Sequence, residues 1–266
     1  MQNNHIHFQQ FGQGQDLVLL HGWGFDSGVW HSLVPLLSDE FRVTIVDLPG
    51  YGKSAECVFD ARQTDKALID VLVQQLLPQL PEKAIWIGWS LGGLLTTYIA
   101  AHFPSRVELI VNIASSPCFV SHEDWPGMEV SVLEQFNQSL LTDHQETLTR
   151  FMALQFLGCE QPKQLLQQIK PQLESCGKVS LATLQQGLDL LKNSDLRSQY
   201  KTLQIPMLHI FGRLDMLVPV TVIPKLEALN PFCQTVVIDK AAHAPFLSHQ
   251  LYFVAILKQF IKKQND

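Results

Sequence analysis

The sequence holds little with which to bind a metal, a nucleic acid or a membrane. Its 266 residues include five cysteines, Cys57, Cys118, Cys159, Cys176 and Cys233, an odd number with no C-x-x-C pair. That pattern argues against a disulfide framework and a thiolate metal site. It suits the reduced thiols of a cytoplasmic protein. No His, Asp or Glu cluster falls at ligand spacing, so neither a metal nor another cofactor is expected. Positive charge is also short: 19 Lys and Arg against 25 Asp and Glu leave a net charge of −6, which does not suggest a nucleic-acid partner. The first ten residues are polar and offer neither a basic n-region nor an apolar h-region, so no signal peptide is expected. Residues 84–101 are largely apolar, but three glycines, one serine and two threonines among them argue against a membrane span. Two nucleotide signatures fall short. Gly50-Tyr51-Gly52-Lys53-Ser54 ends like a phosphate loop, yet Asp47 stands where the first glycine must be. Gly12-x-Gly14 lacks the third glycine of a dinucleotide fingerprint. No repeat, linker or low-complexity tract interrupts the chain.

What is present is a large apolar fraction, 46%, with 17% charged residues, the balance of a well-buried globular chain. Short apolar runs alternate with helical patterns. Strands are predicted at 5–11, as an edge strand, then at 17–20, 42–46, 84–87, 106–114, 206–211 and 235–238. Helices are predicted at 27–37, 62–77, 91–103, 219–229 and 248–263. Strands that alternate with helices, without short hairpins, imply an α/β fold: a mostly parallel sheet flanked by helices. From 116 to 203 the alternation stops. The pieces 128–141, 143–157, 162–175 and 179–192 have helical spacing, broken by Gly158, Pro162, Pro171 and Gly177. The expected organisation is therefore a core of residues 1–115 and 204–266, with 116–203 inserted as a helical cap over a site.

The site is expected where 84–87 runs into Gly88-Trp89-Ser90-Leu91-Gly92. This G-x-S-x-G turn between strand and helix is a nucleophile elbow. A serine on so tight a turn needs neighbours without a Cβ, and Gly88 and Gly92 provide them. A serine hydroxyl also needs a base, and the base needs a carboxylate to orient it. Both should lie past the carboxyl ends of parallel strands. Among ten histidines, His243 follows the last strand in a loop of small residues. His21 has the context of a structural loop, and His209 lies within a strand, as a core histidine would. Asp215 follows the penultimate strand and is the expected orienting carboxylate. Asp47 suits a loop-shaping role and Asp239 a solvated turn. Two oxyanion donors are expected, the backbone N–H of Leu91 and, from His21-Gly22-Trp23-Gly24, that of Trp23, whose indole could wall a pocket.

With these residues in place the sequence resembles the α/β-hydrolase family over its whole length. More narrowly, it resembles the family of biotin-pathway carboxylesterases that act on pimeloyl-acyl-carrier-protein methyl ester. The residues carrying the likeness are 19–24, 46–50, 84–93, Ser115-Ser116-Pro117-Cys118-Phe119, Asp124-Trp125-Pro126-Gly127, 150–155 and Lys240-Ala241-Ala242-His243-Ala244-Pro245-Phe246. The resemblance implies hydrolysis of a methyl ester to a carboxylate and methanol, on an acyl chain attached to a carrier protein. It also implies a substrate pocket at Trp23, Leu91, Phe151, Met152, Ala153, Leu154 and Gln155. Carrier proteins are acidic, so a dock should be basic. Residues 121–149 hold six acids and no base, whereas 150–178 hold four bases against two acids. Arg150, Lys163 and Lys170 are thus the expected dock, with Arg150 foremost. A monomer is expected. A broad-specificity esterase of short free esters remains the alternative.

Overall fold

The computed structural model describes residues 5–57, 67–169 and 179–265. The predicted helix start at 62–66 lies outside the described residues, as do Lys170 and the end of the predicted helix 162–175.

Among the described residues seven strands form one sheet: β1 (Phe8–Phe11), β2 (Gln15–Leu20), β3 (Phe41–Val46), β4 (Ala84–Trp89), β5 (Val107–Ile113), β6 (Met207–Gly212) and β7 (Cys233–Ile238). Their spatial order is β1-β3-β2-β4-β5-β6-β7. Of these seven, β1 alone is antiparallel, lying on β3 with Phe8 opposite Val46. Every residue of β4 and β6 is buried, because a parallel strand is covered on both faces. The chain runs from β2 outward to β3, then returns to lay β4 on the other side of β2, with Leu20 opposite Gly88. The crevice opened by this reversal, at the carboxyl ends of β2 and β4, is where open α/β sheets bind ligands.

Proline and small residues set the helices. The predicted helix 27–37 divides into a 3-10 turn at Ser27–Trp30, capped by Asp26, and α1 (Val34–Leu37), with Pro35 in its first turn. Past the elbow, α3 (Leu91–His102) is buried from Leu91 through Ala100, as expected of a helix apolar on all sides; α2 (Leu68–Leu76) precedes β4. Between β5 and β6 come α4 (Val130–Thr142), α5 (His144–Leu154), α6 (Pro162–Gln168), α7 (Leu181–Asn193) and α8 (Arg197–Thr202). Asp143 and Ser180 cap α5 and α7 by accepting from the Glu146 and Thr183 N–H groups. Among the described residues of this stretch, β pairing is limited to isolated bridges such as Cys118 with Asp195. After β6, α9 (Ile223–Leu229) precedes β7, and α10 (Pro245–Ser248) and α11 (Gln250–Asn265) follow it.

Candidate active site

Ser90 sits between β4 and α3 with φ +54° and ψ −115°. A serine held there costs roughly 1–3 kcal/mol, and such strain persists only where the surroundings enforce it. The enforcement is visible. The Ser90 N–H donates to the Ile113 carbonyl at 2.9 Å, and its own carbonyl accepts from the Gly93 and Leu94 N–H groups and from the Ser115 hydroxyl. A Cβ on Gly88 would stand 2.3 Å from the Gly92 carbonyl oxygen, and one on Gly92 would stand 2.2 Å from that of Leu20. The glycines let β4, α3 and the end of β2 close on one another.

Asp215 and His243 meet beyond the ends of β6 and β7. His243 Nδ1 donates to Asp215 Oδ2 at 2.8 Å, with both side chains buried. Asp215 Oδ1 accepts from the Leu217 and Val218 N–H groups at 2.8 and 3.0 Å. Both carboxylate oxygens are therefore engaged, which fixes the carboxylate and, through it, the imidazole tautomer. The other ring nitrogen, Nε2, is buried and has no hydrogen-bond partner among the described residues, so it is left as an acceptor. The Ser90 hydroxyl makes no bond to it here; such bonds often tighten only when substrate binds. The His243 loop is held by the Trp89 indole N–H, which donates to the His243 carbonyl at 2.8 Å. It is also held by Gly212, where a Cβ would lie 2.0 Å from the Ala242 oxygen.

The loop after β2 lies against the elbow: a Cβ on Gly22 would come 3.3 Å from Ser90 Cβ. His21 shapes this loop. Its Nδ1 donates to the Gly22 carbonyl at 2.8 Å while Nε2 accepts from the Leu48 N–H at 3.0 Å. Burial lowers its pKa and keeps it neutral. Asp47 anchors the neighbouring turn through the Ser27 and Lys53 N–H groups. His209 is a core histidine bonded to the Tyr200 hydroxyl. Asp239 pairs with Arg213 at the surface.

Over Ser90 lies a cavity of about 90 Å³, lined by Trp23, Ser90, Phe119, Met128, Val132, Leu133, Phe136, Phe151, Leu154, Leu188, Leu191 and Leu217. Among the described residues its wall carries no charged side chain. Of the expected pocket residues, Trp23, Phe151 and Leu154 line it. Met152 and Gln155 are buried away from it, Ala153 is exposed, and Leu91 is buried at the head of α3 without joining the wall. The wall residues on α4 and α7 escaped the sequence reading, although Val132, Leu133 and Phe136 have the three-to-four spacing of a helix face. The expected dock is divided. Arg150 is exposed and paired with Glu146 one turn earlier, Lys163 is exposed on α6, and Lys170 lies outside the described residues.

One group of potential metal ligands is brought together by the fold and invisible in the sequence: Cys118, His122 and Asp195 have ligand atoms within 4.8 Å of one another. Both Asp195 oxygens already accept from Arg197, at 2.9 and 2.6 Å. Arg197 holds this carboxylate below its usual range, and burial raises the Cys118 thiol. A guanidinium thus already serves as the cation of this cluster.

Residues 17–250 match the family model described as the α/β-hydrolase fold. The chain is 41% identical to the pimeloyl-[acyl-carrier protein] methyl ester esterase of Aeromonas hydrophila, over 96% of its own length and 99% of that protein's. It is 45% identical to the protein of the same name from Edwardsiella ictaluri, over 92% and 93% of the two chains. Among solved structures, a bromoperoxidase from Bacillus anthracis superposes with a TM-score of 0.87 at 23% identity, covering 97% of this chain and 95% of that one. An esterase from Exiguobacterium antarcticum follows with a TM-score of 0.85 at 23% identity over the same shares. An elbow serine, a histidine with its carboxylate and a full-length match of this kind lead to one conclusion: the chain belongs to the α/β-hydrolase family and, within it, to the family of pimeloyl-[acyl-carrier protein] methyl ester esterases.

Proposed function

We propose that the protein is a serine carboxylesterase that hydrolyses the methyl ester of pimeloyl-acyl-carrier protein to the free carboxylate and methanol, in biotin biosynthesis in the cytoplasm. The observation that carries the reaction class is the oriented pair of His243 and Asp215, with Nε2 left as acceptor and the His243 loop tied to Trp89, next to the strained Ser90. His243 takes the Ser90 proton as Oγ attacks the ester carbonyl. The N–H groups of Trp23 and Leu91, neither of which bonds another described group, receive the oxyanion. Collapse expels methanol, protonated by His243; a water activated by the same imidazole then releases the acid. Residues 1–115 and 204–266 serve as the catalytic core and 116–203 as its cap. The apolar cavity suits the methylene chain of the acyl group. Buried thiols outside disulfides at Cys118, Cys159 and Cys233 support a reducing compartment.

The substrate rests on relatives that bear that name at 41–45% identity. Exposed Lys163 offers positive charge to an acidic carrier, as does Arg150 once it exchanges Glu146 for a carrier carboxylate. The deciding experiment compares turnover of pimeloyl-carrier methyl ester with that of simple methyl esters, in wild type and Ser90→Ala. Carrier-linked ester should be strongly preferred, with a KM that rises with salt and on charge reversal at Arg150 or Lys163. Equal rates on simple esters would make the protein a broad-specificity carboxylesterase, and turnover by Ser90→Ala would remove the serine mechanism. The variant is expected to lose about a million-fold in turnover, as in other triad hydrolases.

A further inference from the structure

Trp23 belongs at once to the loop beside Ser90 and to the helices above it. Its indole N–H donates to the Leu184 carbonyl, in the first turn of α7, at 2.8 Å. The ring packs edge-on against Phe136 of α4 and Phe151 of α5, with centroids 5.4 and 4.9 Å away. Against α7 the fit is so close that a Cβ on Gly187 would stand 2.5 Å from Trp23 Cδ1, 2.9 Å from its Nε1 and 2.7 Å from the Tyr51 hydroxyl. Three helices of the insert thus grip one indole. Only two side-chain torsions separate that indole from the main chain that passes the elbow. A plain cavity wall needs apolar contact alone, and a phenyl ring would supply it. A buried N–H aimed at a helix carbonyl adds direction, which a wall has no use for.

We infer that Gly187 and the Leu184 carbonyl are positioning elements for the oxyanion hole: by seating the Trp23 indole, α7 sets the Trp23 main-chain N–H over Ser90. The inference rests on the proposed roles of Ser90 and the Trp23 N–H. It makes the helix a part of the catalytic geometry as well as a roof over the acyl chain.

The test uses two esters on the full chain. The acetyl group of p-nitrophenyl acetate does not need the length of the cavity, whereas p-nitrophenyl octanoate does. Trp23→Phe removes the N–H and keeps a ring; Gly187→Ala keeps the N–H and displaces the ring. In each variant kcat for the acetate should fall about tenfold or more, below the 10²–10³-fold that follows complete loss of an oxyanion donor, while its KM moves less than twofold. Circular dichroism and thermal midpoints establish folding, and should Gly187→Ala not fold, Trp23→Phe decides alone. Acetate kcat within twofold of wild type, with only the octanoate KM raised, would make Trp23 a wall and overturn the inference. Acetate turnover by Ser90→Ala would overturn the inference together with the site assignment. An inert Ser90→Ala beside a fully active Trp23→Phe would overturn the inference alone.

Discussion

The indole of Trp89 donates to the main-chain carbonyl of His243 at 2.8 Å, joining the residue before Ser90 to the far end of the chain. The ring is buried between Phe25 and Phe246. Trp89→Phe would keep much of that packing and strand the His243 carbonyl without its donor. The expected cost is about 1–3 kcal/mol, the penalty for an unsatisfied buried acceptor, measurable by urea denaturation. Turnover should fall more than KM rises, because the displaced group is the imidazole and not the cavity wall.

Asp215→Asn should leave the fold intact and nearly abolish turnover. The amide oxygen can keep the Leu217 and Val218 N–H groups that Oδ1 now accepts. Its NH2 then faces His243 Nδ1, which must become the acceptor, so the proton moves to Nε2. An imidazole protonated at Nε2 cannot take the serine proton, and a loss of about 10⁴-fold in kcat is expected from that tautomer change. Steady-state kinetics with a p-nitrophenyl ester, beside a thermal midpoint near that of wild type, would check it.

Gly92→Ala should damage folding and not merely catalysis. The added carbon would lie 2.2 Å from the Leu20 oxygen and 2.9 Å from that of His21. Both obstacles are backbone in or next to a central strand, so neither can step aside. Overpacking of this kind costs typically about 1–3 kcal/mol and occasionally more. Soluble yield and urea midpoint should both drop.

Acid should weaken the protein through its buried histidines. His209 is enclosed, and burial lowers its pKa from 6.5 to about 4; burial lowers that of His21 as well. Between those two values the unfolded chain binds a proton that folded His209 refuses. Stability must therefore be fully present above pH 6.5 and decline as pH falls toward 4. Urea midpoints measured across that window should slope downward with falling pH. His209→Gln should flatten the slope relative to wild type, even if its midpoint at neutral pH is lower.

The strands are legible because each parallel strand is a short, nearly unbroken apolar run. The elbow, His243 and Asp215 are legible because a parallel sheet delivers its chemistry at strand ends, where sequence order and spatial position coincide. Other features depend on encounters that no local pattern records. Pro35 divides the predicted helix 27–37, and the short polar helix Arg197–Thr202 has no periodic face to announce it. The cavity wall combines α4, α5, α7 and loops. Helical spacing tells which face of Val132, Leu133 and Phe136 is buried, but not that the space opposite holds Ser90. The likeness over 150–155 marks Phe151 and Leu154 along with Met152 and Gln155, which the turn of α5 sends elsewhere.

None of the described residues that wall the chamber over Ser90 carries a charge. An ester carbonyl is neutral on entering it; the acid formed there is an anion. Away from the oxyanion donors such a wall offers a carboxylate no counter-ion, and a carboxylate drawn into it would lose several kcal/mol of hydration. Bond cleavage thus changes the tenant into one the room rejects, so the reaction drives its own clearance and free acid should be a poor inhibitor.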